Sequence, residues 1–308
     1  TGVQTCALPI YCAKFSPDGT RIISSSGDNT ARLWTIDGKE CKVLTIRENA
    51  EFSVSLVNQA VFSPDGKYIL LAANDYRNKN HRARLWDLDG NELITFSGHD
   101  DWINSVGFSA DGKHIITSSR DKIVRVFALS GALEKELKGH SSNVWSASYK
   151  PDNQTIVTVG DDHTIRTWSI GKRFETYEKA KNVSFAGFSP NGLNIIVVQD
   201  STAQSWNLTG DVVATFAGHH ANILTSRFSP DGSMVLTACK DGTACLWKAD
   251  GTLVNAYNEH KATANDAIFT CDGTYVITIS DDSTAIIHNL ETNATIVIRG
   301  KYGITAVC

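Results

Sequence analysis

The sequence has few of the features that mark disulfide-linked, membrane-spanning or exported proteins. Its seven cysteines include no CxxC pair and no spacing typical of a zinc site or a disulfide framework. No apolar run approaches the roughly 18 residues of a membrane helix, and no basic start leads into a hydrophobic stretch as in a signal peptide. We therefore expect no membrane partner and a reducing cytoplasm as the location.

Signature motifs of common enzymes are also absent. Neither GxxxxGK[ST] nor HExxH nor GxSxG occurs in the 308 residues. This predicts no catalytic residue, no cofactor and no metal. The formal charge of −4, from 29 Lys and Arg against 33 Asp and Glu, gives no general attraction to nucleic acid. A composition of 42% hydrophobic and 20% charged residues indicates a globular chain with a large core.

What the sequence does contain is a repeated pentapeptide. FSPDG begins at Phe15, Phe62 and Phe228, and its variants begin at Phe108, Tyr149, Phe188 and Phe269, at spacings of 39 to 47 residues. Each copy lies between two short β-rich runs, so the pentapeptide is interpreted as a hairpin turn. Pro17 presets φ at the first corner, and Gly19 accepts the positive φ that follows.

Two further β-rich runs complete each copy and predict a four-stranded antiparallel meander. The third run is TARLW at 30 to 34 in the first copy, and a turn such as IDGK leads into the fourth. One such sheet has two faces to cover and is not stable alone. Seven sheets stacked radially cover one another, which predicts an all-β fold, a seven-bladed β-propeller.

The copies resemble WD40 repeats over nearly the whole chain. Gly98-His99, Gly139-His140 and Gly218-His219 stand nine residues before their anchors, and RLWD occurs at Arg84 to Asp87. The resemblance implies seven repeats over residues 11–299 that form one propeller. The run ARLWDLDGNELITFSGH is similar to arrays in large prokaryotic proteins, where propellers often form the sensor end behind a nucleotide-binding switch and an effector domain.

The same resemblance implies hydrogen-bonded tetrads that tie single blades together. In the WD40 family, a His, a strand Ser or Thr, a turn Asp and a Trp form this group. Two complete sets are expected: His140, Thr158, Asp162 and Trp168, and His219, Thr237, Asp241 and Trp247. The third copy has Phe127 in place of the Trp and the seventh has His288, while copies one, two and five lack the His.

Both ends of the sequence are expected to depart from the repeat. The last nine residues, 300–308, align with the start of a further copy, which predicts a truncated eighth repeat. TGVQTCALPI, residues 1–10, resembles the translation of a common short-read sequencing adapter. We expect this segment to be an artefact; the alternative is a genuine strand that uses Ala7 to Ile10.

The face of the ring that carries the longer loops is the predicted binding surface. The loop entering each blade and the loop between its second and third strands share this top face, and two insertions, Glu48 to Leu56 and Asn74 to His81, fall there. Loops on rigid scaffolds concentrate binding function. Positions that supply top-face contacts in the WD40 family hold Trp102, Asn104, Arg120, Asn143, Trp145, Asp161, Asn222, Lys240 and Asn265. For Trp102 and Trp145 the alternative is packing between blades.

Two classes of function follow from this pattern. The first is a non-catalytic platform for a protein or peptide, including another domain of the full-length chain. The second is a catalytic propeller with a funnel-shaped site, which would need convergent carboxylates or a metal set. The recurring histidines are spread one per blade around the ring and cannot share an ion, so the platform is the favoured hypothesis.

Overall fold

The computed structural model describes residues 10–36, 39–46, 55–75, 81–169, 175–177, 183–282 and 284–299. These residues form 28 β-strands in seven four-stranded sheets. No helix in this part of the chain is long and apolar enough to cross a membrane. Of the two segments expected to lie outside the propeller, 1–10 and 300–308, only Ile10 falls within the described residues, as the first residue of a strand.

Each sheet, here called a blade and numbered 1 to 7 along the chain, takes four consecutive strands. The first strands are β1 Ile10–Phe15, β5 Ser55–Phe62, β9 Ile103–Phe108, β13 Val144–Tyr149, β17 Val183–Phe188, β21 Ile223–Phe228 and β25 Ala264–Phe269. The second strands are β2 Arg21–Ser26, β6 Tyr68–Asp75, β10 His114–Ser119, β14 Thr155–Gly160, β18 Asn194–Gln199, β22 Met234–Cys239 and β26 Tyr275–Ser280.

The third and fourth strands complete the blades towards the outside of the ring. The third strands are β3 Thr30–Thr35, β7 His81–Asp87, β11 Ile123–Ala128, β15 Ile165–Ser169, β19 Thr202–Asn207, β23 Ala244–Lys248 and β27 Thr284–Asn289. The fourth strands are β4 Glu40–Thr45, β8 Glu92–His99, β12 Leu133–Lys138, β16 Glu175–Tyr177, β20 Val212–Ala217, β24 Leu253–Tyr257 and β28 Thr295–Arg299.

Every blade is an antiparallel meander, and the first strands are the innermost. In blade 1 the order is β1-β2-β3-β4, and the other six blades repeat it. The first strands of neighbouring blades pack on one another, as β1 does on β5 and β9 on β13. The predicted seven-bladed β-propeller is confirmed.

The repeated pentapeptide forms the turn between the first two strands, as predicted. Gly19 has φ of 68° and Gly66 has φ of 69°, a conformation open to glycine because it has no Cβ. The turn is closed by a bond of 2.8 Å from the Gly19 N–H to the Ser16 carbonyl. The Ser16 hydroxyl also accepts the Arg21 N–H at 2.9 Å. Short side chains thus satisfy the backbone of the turn.

The hydrophobic core is divided among the junctions between blades. Successive residues of a strand point to opposite faces, so Ile115 packs between blades 2 and 3 while Ile116 packs between blades 3 and 4. Among the described residues the junction of blades 7 and 1 has the smallest cluster of buried apolar side chains: Ile268, Ile277, Ile279 and Ala285. Phe15 and Ile22 of blade 1 pack against this cluster and close the ring.

The insertion expected at Asn74 to His81 is partly strand rather than loop. Asn74 ends up in β6 and His81 in β7, paired across the hairpin. Asn74 is fully buried, accepts the Ile103 N–H at 2.8 Å and donates to the Ile103 carbonyl at 2.9 Å. An amide in this place joins blade 2 to blade 3, because it supplies one donor and one acceptor to the backbone of Ile103. Residues 48–54 of the first insertion and 76–80 of the second lie outside the described residues.

Candidate functional site

The top face of the ring is built from the loops that enter the blades and those between second and third strands. In blade 3, Trp102 lies on the first of these loops and Arg120 on the second. The Arg120 N–H donates to the Trp102 carbonyl at 2.8 Å. One backbone hydrogen bond therefore joins the two loops and fixes the relative positions of both side chains.

Arg120 lies over two tryptophan rings. Its guanidinium carbon is 4.7 Å from the centre of the Trp102 ring and 6.0 Å from the centre of the Trp145 ring, which blade 4 contributes. Both distances are in the range of cation–π attraction. All three residues are partly exposed. Among the described residues no carboxylate forms an ion pair with Arg120, and its Nε has no hydrogen-bond partner.

Two acidic residues beside this stack bond to the tryptophans instead. Asp161 accepts the Trp145 indole N–H on one oxygen and the Asn143 amide, at 3.0 Å, on the other. Asp101 accepts the backbone N–H of Trp102 at 2.7 Å. These carboxylates orient the indole rings and the loops that carry them.

His81 was not found from the sequence, yet it is the neighbour of Trp102 on the side of blade 2. The two ring centres are 6.4 Å apart. Burial lowers the pKa of His81, against the opposing charges of Asp101 and Asp75. Its Nδ1 has no hydrogen-bond partner among the described residues. The only sequence signal was its place inside the blade 2 insertion, which has no counterpart in the other copies.

The structure brings together five of the nine predicted binding residues. Trp102, Arg120, Asn143, Trp145 and Asp161 form one patch across blades 3 and 4, here called the rim patch. The alternative of packing applies in part to Trp145, which also contacts the core between blades 4 and 5.

The other four predicted residues lie elsewhere. Asn104 donates to the Val144 carbonyl at 2.8 Å and so links blade 3 to blade 4 from the inner wall. Asn265 donates to Asp281 at 2.7 Å in blade 7. Asn222 and Lys240 are exposed in blade 6 and are joined through their backbones.

The expected tetrad of blade 4 has all its hydrogen bonds. Trp168 donates to the Thr158 hydroxyl at 2.8 Å, Thr158 lies 2.7 Å from His140 Nε2, and His140 Nδ1 is 2.9 Å from Asp162. One proton arrangement satisfies the whole chain: Thr158 donates to Nε2, and Nδ1–H donates to the carboxylate. Burial lowers the pKa of His140, although Asp162 opposes it. The histidine is therefore neutral at pH 7.

The tetrad of blade 6 differs in one link. Trp247 and His219 bond to Thr237 at 3.0 and 2.7 Å, but His219 Nδ1 bonds to Thr243 at 2.9 Å, with Asp241 farther away at 3.5 Å. Thr243 in turn donates to Asp241 at 2.5 Å. The direct contact expected between His219 and Asp241 is thus relayed by a hydroxyl.

Cys239 lies close enough to His219 and Asp241 for the three to hold a metal ion, with ligand atoms within 4.8 Å of one another. The same triangle occurs with serine elsewhere in the ring. Ser280 donates to the Ala262 carbonyl at 3.2 Å and accepts the Asp282 N–H at 3.1 Å. Cys239 makes the equivalent bonds to the Ala221 carbonyl and the Asp241 N–H. Burial raises the pKa of the Cys239 thiol to about 11, which disfavours the thiolate that a metal needs.

Blade 3, which has no tryptophan at this position, contains a buried ion pair. His99 bonds to Thr117 and to Asp121, both at 2.7 Å. Arg125, buried beside them, donates to Asp121 at 2.8 Å and to Glu136 at 2.9 Å. Burial opposes ionisation of Asp121, but the bonds and charges of His99 and Arg125 outweigh it and lower its pKa. Phe127 packs against Phe96 in place of an indole that would bond.

Comparison with known proteins identifies the class of the repeats. The family model of the WD domain, G-beta repeat (WD40) matches residues 3–35, 90–127, 131–169 and 210–248. A match such as 90–127 takes the last strand of blade 2 and the first three of blade 3, so a sequence repeat of this kind joins two neighbouring blades. Four segments of the chain therefore match WD40 repeats, and the described residues form a seven-bladed propeller.

Three similar curated proteins come from eukaryotes. Nuclear distribution protein PAC1 of Arthroderma benhamiae is 28% identical over 130 residues, 37% of this chain and 28% of that protein. Protein HIRA of Dictyostelium discoideum is 30% identical over 142 residues, 39% of this chain and 12% of that protein. Target of rapamycin complex subunit wat1 of Schizosaccharomyces pombe is 30% identical over 118 residues, 37% of this chain and 34% of that protein. The matches span about a third or less of each relative, and the likeness to prokaryotic arrays stays a prediction.

Proposed function

We propose that this propeller is a non-catalytic interaction platform whose rim patch binds another protein or another segment of the same polypeptide. The observation that carries the proposal is the position of Arg120 over Trp102 and Trp145. Tryptophan and arginine dominate the energetics of protein interfaces. Here they project, partly exposed, from loops that hydrogen bonds hold on a rigid ring.

The chemistry of the patch favours an acidic group on the partner. A guanidinium that lies over aromatic rings keeps its edge for hydrogen bonds, and that edge matches a carboxylate. The nearby carboxylates of Asp101 and Asp161 bond to Trp102 and Trp145 and do not pair with Arg120. We expect the partner to bring a carboxylate to Arg120 and apolar atoms to the indole rings.

The relatives support a role in assembly. One of them carries the name of a subunit of the target of rapamycin complex, and this chain has segments that match WD40 repeats. We propose that the propeller acts as the sensor or scaffold part of a larger protein in the cytoplasm.

The runner-up, an enzyme with a funnel site, has less support. The central cavity of about 220 Å³ is lined by one carboxylate among the described residues, that of Asp266. This group lies 3.4 Å from Arg227. The described lining of the cavity brings no second carboxylate to Asp266, so it holds no pair of carboxylates for general acid and base. The rim patch therefore supports binding better than the cavity supports catalysis.

A selection from random peptides tests the platform. Phage-displayed dodecapeptides are panned on the immobilised protein, and the enriched peptides are synthesised and measured by fluorescence polarisation. We expect the enriched peptides to share an acidic residue next to apolar ones, and to lose affinity when that residue is changed to its amide. Peptides that bind Arg120→Gln as well as the unchanged protein would contradict the proposal.

A further inference from the structure

A second cavity lies between blades 6 and 7, towards the outside of the ring and away from the rim patch. Its volume is about 530 Å³, within the range of small-molecule sites. Met234, Leu246 and Tyr257 of blade 6 form an apolar wall. His288, Asn289 and Leu290 of blade 7 face them.

The cavity coincides with an irregular position of the repeat. In each of blades 1 to 6, the third strand carries a large aromatic residue at this position: Trp34, Trp86, Phe127, Trp168, Trp206 and Trp247. In blade 6, Trp247 is buried and meets Phe216 of blade 5 edge to face, with ring centres 6.0 Å apart. Blade 7 has His288 at this place, and Tyr257 is the counterpart of Phe216.

Histidine is too small to fill the space that an indole takes. The ring of His288 lies against Tyr257 with centres 4.0 Å apart, closer than the pair in blade 6. The volume beyond it stays open between Met234, Leu246 and the strands of blade 7. Because protein interiors are close-packed, an opening of this size at the junction is a departure from ordinary packing.

One residue that lines this opening, His288, has a buried polar atom without a partner. His288 is 4% exposed, and its Nε2 has no hydrogen-bond partner among the described residues. Burial lowers its pKa, with Glu259 opposing and His260 adding to the effect, so the ring is neutral at pH 7. A buried nitrogen without a partner costs free energy, which a ligand that bonds to it would recover.

We propose that this cavity binds a planar aromatic molecule of about the size of an indole. Its ring takes the place of the missing tryptophan side chain, between Met234 and Leu246. Its N–H donates to His288 Nε2. The carboxylate of Glu259, which also lines the cavity, favours a donor over an acceptor at that end of the ligand. The site is independent of the rim patch and of any peptide bound there.

Indole and 1-methylindole are the probes, measured by ligand-detected NMR and by the shift of the melting temperature. We expect indole to bind and 1-methylindole, which has no N–H, to bind more weakly. His288→Trp restores the repeat pattern and fills the cavity, so it should weaken indole binding by about tenfold or more. His288→Ala keeps the space but removes the acceptor, so it should bind the two probes alike.

Ala256→Trp, an exposed residue that lines the cavity, is a second way to block it, and Ala217→Trp, exposed on blade 5, is the matched control. Binding lost in Ala256→Trp and kept in Ala217→Trp supports the site even if His288→Trp fails to fold. No indole binding to the unchanged protein at about 1 mM, a weak but measurable affinity, overturns the proposal. Equal binding to the unchanged protein, His288→Trp and Ala256→Trp also overturns it.

Discussion

The guanidinium of Arg120 lies 4.7 Å from the centre of the Trp102 ring, and the backbone N–H of Arg120 donates to the Trp102 carbonyl. The two residues come from different loops of blade 3, so the contact depends on the hairpin register that brings those loops together. Trp145 of blade 4 adds a second ring to the cation. The proposed interface is thus assembled by the fold and is not contained in any one loop.

The tetrad of blade 4 should stabilise the fold rather than contribute to binding. Asp162→Ala removes the acceptor for His140, Ser141 and Thr164. We expect a loss of about 1–3 kcal/mol in the free energy of unfolding, measured by urea denaturation, and a similar loss for Asp241→Ala. Asp89→Ala, on an exposed turn, is the control. Losses within error at both tetrad sites would reject the assignment.

Stability should fall on acidification from pH 8 to 5.5. Burial holds the pKa of His140 and His219 below the ordinary value of 6.5 in the folded state. Between the two pKa values the unfolded chain binds more protons than the folded one, so stability rises with pH. The urea midpoint, measured across this range, should drop as these histidines become protonated in the unfolded chain. A midpoint that rises towards pH 5.5 would contradict the buried neutral state.

The junction of blades 7 and 1 should be the least protected part of the ring. Among the described residues, its buried cluster has four apolar side chains, against nine between blades 2 and 3. Local opening follows low apolar burial. Amide hydrogen exchange read by mass spectrometry should be faster in β25 to β27 than in β9 to β11. Equal exchange rates in the two sets of strands would mean that contacts other than this cluster hold blade 7 to blade 1.

Cys239 should behave as a serine equivalent. Cys239→Ser keeps the bonds to the Ala221 carbonyl and the Asp241 N–H that Ser280 makes in blade 7. We expect a change of less than about 1 kcal/mol in unfolding free energy for this swap, and no stabilisation of the unchanged protein by Zn²⁺. A rise in melting temperature with Zn²⁺ that Cys239→Ser abolishes would show instead that the cluster is a metal site.

The fold was predictable from the repeat because each copy specifies its own hairpins. The positive φ of Gly19 and the register of the blades follow from local turn chemistry. The clamp that Asn74 makes to blade 3 was not predictable, since its partner is a backbone contributed by another copy. An arginine recurs two residues before the third-strand aromatic in four copies, as Arg32, Arg84, Arg125 and Arg166. The close approach of Arg125 to His99 was nevertheless not predicted.

For the rim patch, the sequence predicted which residues face the same side but not which of them meet. Trp102, Arg120 and Trp145 were predicted together, and the structure places them in contact. Asn104 was predicted for the same surface, yet its amide is used between blades. His81 was missed because it falls in an insertion. Such differences depend on where neighbouring blades approach each other, which the repeat pattern of one blade does not encode.

The most direct test of the rim patch is the affinity of one library-selected peptide for Trp102→Ala and Trp145→Ala, measured with the melting temperature of each variant. Leu193→Ala, an exposed residue in a turn on the opposite face, is the control. We predict a loss of about 2 kcal/mol or more for each tryptophan, roughly 30-fold in Kd, with the melting temperature nearly unchanged. If both variants unfold while their folded fraction keeps its affinity, the tryptophans are packing residues and the binding site lies elsewhere.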